Sequence, residues 1–282
     1  MSLAPGPAAG LESPIRTGAS PKIKPLKLAL HNTVVEYRLD SLHLLRGFPK
    51  NMARLPGWLP SLLKRIDWGC ANSPLLTSLD DDSQALETGR AICLDLWPFI
   101  NNLPANISLV RDSLPEDMHA ARNLLGQLAD DERYYQQLFL SQCRLAGLSD
   151  DDLANHIPSP ATRELCSTLE RYTRSGSYER GIYAILAAEL AATAFARAAF
   201  PKYVDYFDRF ADSYEAQTVK EGLNWLRLHA EPHTRHALWL KRMLADIPNA
   251  GRKEMPEPVE AFLNAVFRLW RCPQEAPALL RT

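Results

Sequence analysis

The chain has 282 residues, 46% of them hydrophobic, and a formal charge of -1, which is enough for one large domain with a sizeable core and too little charge to draw nucleic acid or an anionic membrane. Its five cysteines, Cys70, Cys93, Cys143, Cys166 and Cys272, are odd in number and form no CxxC pair. They argue against a disulfide framework or a thiolate metal site and fit a reducing, cytoplasmic setting. The N-terminus has no continuous apolar run, and the weakly polar stretch over 184–200 contains Glu189 and Arg197, so neither a signal peptide nor a membrane span is expected.

Residues 1–25 mix Pro, Gly, Ala and Ser with a few basic residues, a composition that buries too little surface to order itself. A tail is expected there, followed by one all-helical domain over 26–282. Short amphipathic pieces run from 26 to 67, split by Leu55-Pro56-Gly57. The Asp80-Asp81-Asp82-Ser83 run offers N-cap residues for a helical pattern that should kink or restart at Pro98. Pro115-Glu116-Asp117 predicts the start of the next helix, with acids in its first turn and a stop at Gly147. Pro158-Ser159-Pro160 precedes a helix over 162–173, and Arg174-Ser175-Gly176-Ser177 reads as a loop. An alanine-rich helix follows from Tyr178 and should end at Pro201. After it come a short amphipathic piece, a histidine-bearing helix, and a last helix behind Pro256 and Pro258. No segment alternates with period two and no internal repeat is visible, so the class is all-α, a bundle of about seven or eight helices, with sites between facing helices.

Over 226–243, reading LRLHAEPHTRHALWLKRM, His229, His233 and His236 stand at i, i+4 and i+7 and share one side of a helix with Val219, Leu226, Leu240 and Met243. Imidazoles in such a core-facing seam need partners or a metal, because each unpaired nitrogen costs about 1–3 kcal/mol. Pro232 inside this helix should bend it. In the alanine-rich helix, Ile182, Ile185, Glu189, Ala192, Ala196 and Phe200 lie on one face, which puts a carboxylate where an apolar residue is expected. In the 118–148 helix, Leu125, Leu128, Glu132, Tyr135 and Phe139 do the same. The line through Leu124, Asp131 and Leu138 fits nearly as well, so periodicity does not choose between Asp131 and Glu132.

Two carboxylates and three imidazoles from three helices are a ligand set for non-haem iron or manganese in a helix bundle; zinc would need fewer. The competing readings are structural. The histidines would form a buried polar network, Glu189 would pair with Arg197 or Arg180, and Glu132 would be a solvated member of the Asp130-Asp131-Glu132-Arg133 run. His31, His43, His119 and His156 have no matching partners in sequence, and Trp97, Trp225 and Trp239 read as ordinary core and interface residues. No nucleotide-binding or serine-hydrolase motif is present.

The segments LWPFINNL and ARNLLGQLADDERYYQQLFLSQCRLAGL resemble core helices of the heme-oxygenase-like diiron oxidases and oxygenases, a fold shared with thiaminase-II-like proteins and pyrroloquinoline quinone synthase. In that family a ligand Glu is followed by a His just before an LF-type pair; Glu132 matches the Glu, and Tyr135 stands in the His place ahead of Leu138-Phe139. The next family Glu, in a helix rich in small residues, matches Glu189. The family's closing His-x3-Asp-x2-His matches His229, His233 and His236, with His in the Asp place. The resemblance covers about residues 85 to 245 and rests on the order and spacing of short motifs.

It implies a heme-oxygenase-like bundle and an O2-dependent non-haem iron oxygenase or oxidase of specialised metabolism. Glu132, Glu189, His229, His233 and His236 would bind one or two Fe(II) per chain, with O2 as co-substrate and Tyr135 beside the metal in a catalytic role. The implied substrate is a small, amino-acid-derived molecule, free or on a carrier protein, to be N-oxygenated or oxidatively cleaved, and the implied assembly is a homodimer. Tyr135 and His233 depart from the family pattern and lower the ligand charge, so they decide between one iron and two. Two other classes stay open: a metal-free enzyme of the thiaminase-II or cofactorless-oxidase type, using the histidines as acids and bases, and a non-catalytic helical binding protein.

Overall fold

Residues 56–231 and 254–273 are described by the computed structural model of the protein, and among them there are ten α-helices, two short 3-10 turns and no strand. The helices are α1 (Leu59–Ala71), α2 (Pro74–Thr77), α3 (Ala85–Asp112), α4 (His119–Leu145), α5 (Asp150–Asn155), α6 (Pro160–Thr173), α7 (Tyr178–Arg209), α8 (Ala216–Gly222), α9 (Asn224–Ala230) and α10 (Glu257–Leu269). The all-α class stands as expected. The count is higher because α2, α5, α8 and α9 are each a turn or two long, too short for a periodic pattern to show. The expected tail over 1–25, the pieces over 26–55, and His233 and His236 all lie outside the described residues.

Helix α7 is the element against which the others are arranged: α1, α3, α6, α9 and α10 all pack on it. By length and hydropathy alone it could cross a membrane, but 83% of its most apolar window is buried inside the protein. Its alanines explain both properties. They keep the helix apolar on nearly every face, and their short side chains let five neighbours approach closely. One close approach is at Gly181, where an added Cβ would come 2.4 Å from Val110 Cγ2 on α3.

Prolines did not end the long helices. Helix α3 runs through Pro98 and Pro104, and α7 runs through Pro201 to Arg209, which corrects the expected stop at Pro201 and restart at Pro98. Each proline removes the bond its own N–H would make to the carbonyl four residues back. At Pro104 that acceptor is Ile100, and the structure supplies a substitute: Gln136 Nε2 on α4 donates to the Ile100 carbonyl at 3.3 Å and to the Asn101 carbonyl at 2.8 Å. A tertiary contact thus covers a local defect.

Helix ends follow local chemistry. Ser149 and Asp152 form a reciprocal capping box at α5, while Ser159 and Ser177 cap α6 and α7. Gly147, at φ 75°, closes α4: its N–H reaches the Arg144 carbonyl at 2.9 Å and that of Leu148 reaches Cys143 at 2.9 Å. Arg90 on α3 then donates to the Ala146 and Gly147 carbonyls. The expected acidic start at Pro115-Glu116-Asp117 is instead a turn, and α4 begins at His119 with no acid in its first turn. Likewise the Asp80–Ser83 run does not cap α3, because Asp81 spends its carboxylate on Ser83 and Gln84 in the preceding turn.

The close crossing at Gly181 is testable with a paired substitution. Gly181→Ala should lower the melting temperature by several degrees, because Val110 is stiff at χ1 and relieving the overlap costs about 1–3 kcal/mol. Gly126→Ala, whose new Cβ would meet nothing closer than Arg111 Cδ at 3.8 Å, should raise it slightly through helix propensity. Thermal denaturation followed by circular dichroism distinguishes the two.

Candidate active site

Of the six residues picked from sequence, four are described, and the bundle places three of them in its interior. Glu132 on α4 is 2% exposed, Glu189 on α7 is 4% exposed and His229 on α9 is 4% exposed. Asp131 is only half-buried, so the core-facing acid of that pair is Glu132, and the surface reading of Glu132 is overturned. Helix α9 packs against both α4 and α7, which sets the imidazole on the element between the two carboxylate-bearing helices. Neither carboxylate is an isolated charge in the core. Arg180, one partner considered for Glu189, pairs with Glu257 at 2.6 Å.

His229 has a defined tautomer. Its Nδ1 lies 2.9 Å from the Trp225 carbonyl oxygen, which only accepts, so Nδ1 carries the hydrogen and the lone pair of the neutral ring sits on Nε2. The ring is held between aromatic neighbours, Trp225 at 4.2 Å between centroids and Tyr135 at 4.9 Å in an edge contact. Tyr135 therefore reaches the site through His229. Trp225, read from sequence as ordinary core, is the residue that orients the imidazole from both its carbonyl and its ring. Its position four residues before His229 was the available signal.

The histidine helix differs from expectation. In place of a continuous helix from 226 with a bend at Pro232, α9 stops at Ala230 and Glu231 is extended, with φ -61° and ψ 132°. A residue before proline is pushed out of the helical region by the proline ring, so the break falls one residue earlier than a kink would. Arg197 on α7, 6% exposed, donates from Nε to the Ala230 carbonyl at 3.3 Å and so satisfies the terminated helix. His233 and His236 lie outside the described residues.

The donor chemistry suits a metal such as iron: two buried carboxylates and an imidazole with its lone pair on Nε2 and its other nitrogen tied to a carbonyl. Among the described residues alone, however, no group of three or more His, Cys, Asp or Glu is placed to hold a metal ion.

Beside Trp225 lies an apolar cleft between α3, α7 and α10. Its α7 wall is Ala188, Ala191, Ala192 and Phe195, closed on other sides by residues such as Phe99, Phe262 and Trp270. Glu189 is about 100° around the helix from Ala188, one step off this wall. Trp225 both lines the cleft and packs on His229, the two rings tilted by 31°.

Over residues 94–245, more than half of its length and all six candidate positions, the sequence matches the model of the TENA/THI-4/PQQC family. The chain belongs to the TENA/THI-4/PQQC family. Its fold is that of a crystal structure of a TenA homolog from Pseudomonas syringae pv. tomato strain DC3000, at TM-score 0.62 and 15% identity, covering 78% of this chain and 94% of that one. A domain of unknown function with a heme oxygenase-like fold from Shewanella denitrificans OS217 superposes with TM-score 0.55 at 17% identity, covering 74% of this chain and 86% of that one. No curated protein matches the sequence. The heme-oxygenase-like architecture expected from the motifs is thus established.

Within this family member Cys70, Cys93, Cys166 and Cys272 are not set up as nucleophiles. All five are free thiols. The Cys143 thiol hydrogen-bonded to Cys93, followed by burial, pushes Cys93 well up, while burial, followed by the Asp67 charge, does the same to Cys70. Burial also raises Cys166 and Cys272 to about 11. A reactive cysteine needs the opposite shift. The native protein at pH 8 should therefore react with a disulfide reagent such as Ellman's far more slowly than the same protein in denaturant, with Cys93 slowest by mass mapping. A single fast thiol in the native state would reverse this reading.

Proposed function

We propose that this TENA/THI-4/PQQC family member is a non-haem iron, O2-dependent oxidoreductase acting on a small organic substrate, with Glu132, Glu189, His229, His233 and His236 as the iron-binding set. The observation that carries the reading is the burial of Glu132, Glu189 and His229 on α4, α7 and α9, with His229 Nδ1 tied to the Trp225 carbonyl. Carboxylates buried in an apolar core are the oxygen donors that a hard divalent cation takes. The carbonyl contact holds the imidazole with Nε2 as its donor atom, the arrangement a metal-binding histidine requires. Trp225 and Tyr135 fix the ring plane and keep water from it. Bound there, Fe(II) would supply the one-electron chemistry by which O2 is used. The raised cysteine thiols count against a thiol-dependent hydrolase on this scaffold.

A second reading has its own support. Because the described residues do not by themselves assemble three metal donors, His229 would serve as a general base through Nε2, with the buried carboxylates as its acid partners, in a metal-free enzyme. The two readings separate cleanly. Protein loaded anaerobically with Fe(II) should retain one or two irons per chain after desalting and melt several degrees higher than the metal-free form, since a ligand bound only to the folded state stabilises it. Glu189→Gln and His229→Ala should each abolish both effects while remaining folded by circular dichroism. Folded wild-type protein that retains no iron, with activity untouched by a chelator, would establish the metal-free reading instead.

A further inference from the structure

We propose that Tyr134, Tyr135 and Trp225 form a one-electron path that joins the His229 side of the candidate core to the protein surface, with Tyr134 as its outer terminus. This rests on the reading that the core carries oxidative chemistry, and it assigns that core a supply of electrons. The path is continuous in ring contacts. Tyr134 and Tyr135 on α4 have centroids 5.9 Å apart, Tyr135 and His229 lie at 4.9 Å, and His229 and Trp225 at 4.2 Å. Each step is at or below the spacing of ordinary aromatic pairs, short enough for an electron to pass from ring to ring without a moving carrier. Exposure changes sharply along it: Trp225 and His229 are each 4% exposed, Tyr135 is half-buried, and Tyr134 is 58% exposed.

The residue types suit the task. Phenol and indole rings give up a single electron far more readily than a benzene ring, so Phe139, which meets Trp225 at 5.2 Å, does not extend the path. The two ends differ in where a proton can go. A phenol that loses an electron also loses its O–H proton; at exposed Tyr134 water takes it, whereas the Trp225 indole is enclosed. An oxidising equivalent that the core does not spend on substrate therefore comes to rest on Tyr134. One electron moves inward from Tyr134 through Tyr135 to the core, the Tyr134 phenol proton passes to water, and a neutral tyrosyl radical remains. A thiol or ascorbate in solution then returns one electron and one proton and restores the phenol. The buried rings are spared oxidation, and the core draws its electrons from solution through one exposed side chain.

The path is tested on metal-free protein, so that its outcome does not depend on whether iron binds. A pulsed ultraviolet laser ejects an electron from tryptophan, and nitrous oxide with tert-butanol removes that electron and its products. The wild type should show indole-radical absorbance decaying into tyrosyl absorbance, which added ascorbate quenches. Trp225→Phe and Tyr135→Phe should each lose part of the fast tyrosyl yield, while Tyr183→Phe, which removes the separate Trp58–Tyr183 contact at 6.0 Å, should leave that part in place. In Tyr134→Phe, a conservative change at an exposed position, ascorbate should quench that part at least about tenfold more slowly, because the radical is left on half-buried Tyr135. Wild-type quenching in Tyr134→Phe, or a wild-type yield in Trp225→Phe and Tyr135→Phe, would overturn the path. Its use by the core is read on protein loaded anaerobically with Fe(II) and exposed to O2 without substrate, where Tyr134→Phe should accumulate more oxygen-modified Trp225 and Tyr135 than the wild type by peptide mass mapping. Equal modification in protein that retains iron would overturn that use. Absence of retained iron would overturn the iron reading alone, and the flash result would stand.

Discussion

A carboxylate in the middle of an alanine helix is the constraint on which the rest of this structure depends. Helix α7 is apolar on nearly all sides and is touched by five other helices, which is where a charge is most costly to keep. Glu189 sits there at 4% exposure. Glu132 and His229 are buried on α4 and α9, the helix that packs against both α4 and α7, and Arg197 from α7 itself buttresses α9.

The same economy appears in how the helix ends and prolines are handled. Gln136 covers the carbonyl that Pro104 abandons, Arg90 covers the end of α4, and Arg197 covers the end of α9. In each case a long polar side chain from a neighbouring helix satisfies an orphaned carbonyl. These contacts join α3 to α4 and α7 to α9, and α4, α7 and α9 carry the candidate site. They make the placement of Glu132 and His229 a property of the assembled bundle rather than of the individual helices.

Much of the architecture was legible in the sequence because the signals were local: the 3.6-residue apolar periodicity, the Ser-based caps at α5, α6 and α7, and the glycine closing α4. Glu132 and Glu189 stood out because each interrupts an apolar face, and the choice of Glu132 over Asp131 needed the actual burial. The errors were those that tertiary structure decides. Pro98 and Pro201 do not end α3 and α7, whose remaining faces are held by packing. Pro232 acts through the residue before it, leaving Glu231 extended and ending α9 early. The alanine-walled cleft was not legible, since the helices that form it are distant in sequence.

Anomalous diffraction at the iron edge, on crystals of protein loaded anaerobically with Fe(II), addresses the central claim most directly. The account predicts a strong peak within bonding distance of the Glu132 and Glu189 carboxylates and of His229 Nε2. A folded bundle with no peak in its interior, or with iron held only at surface residues, would contradict it.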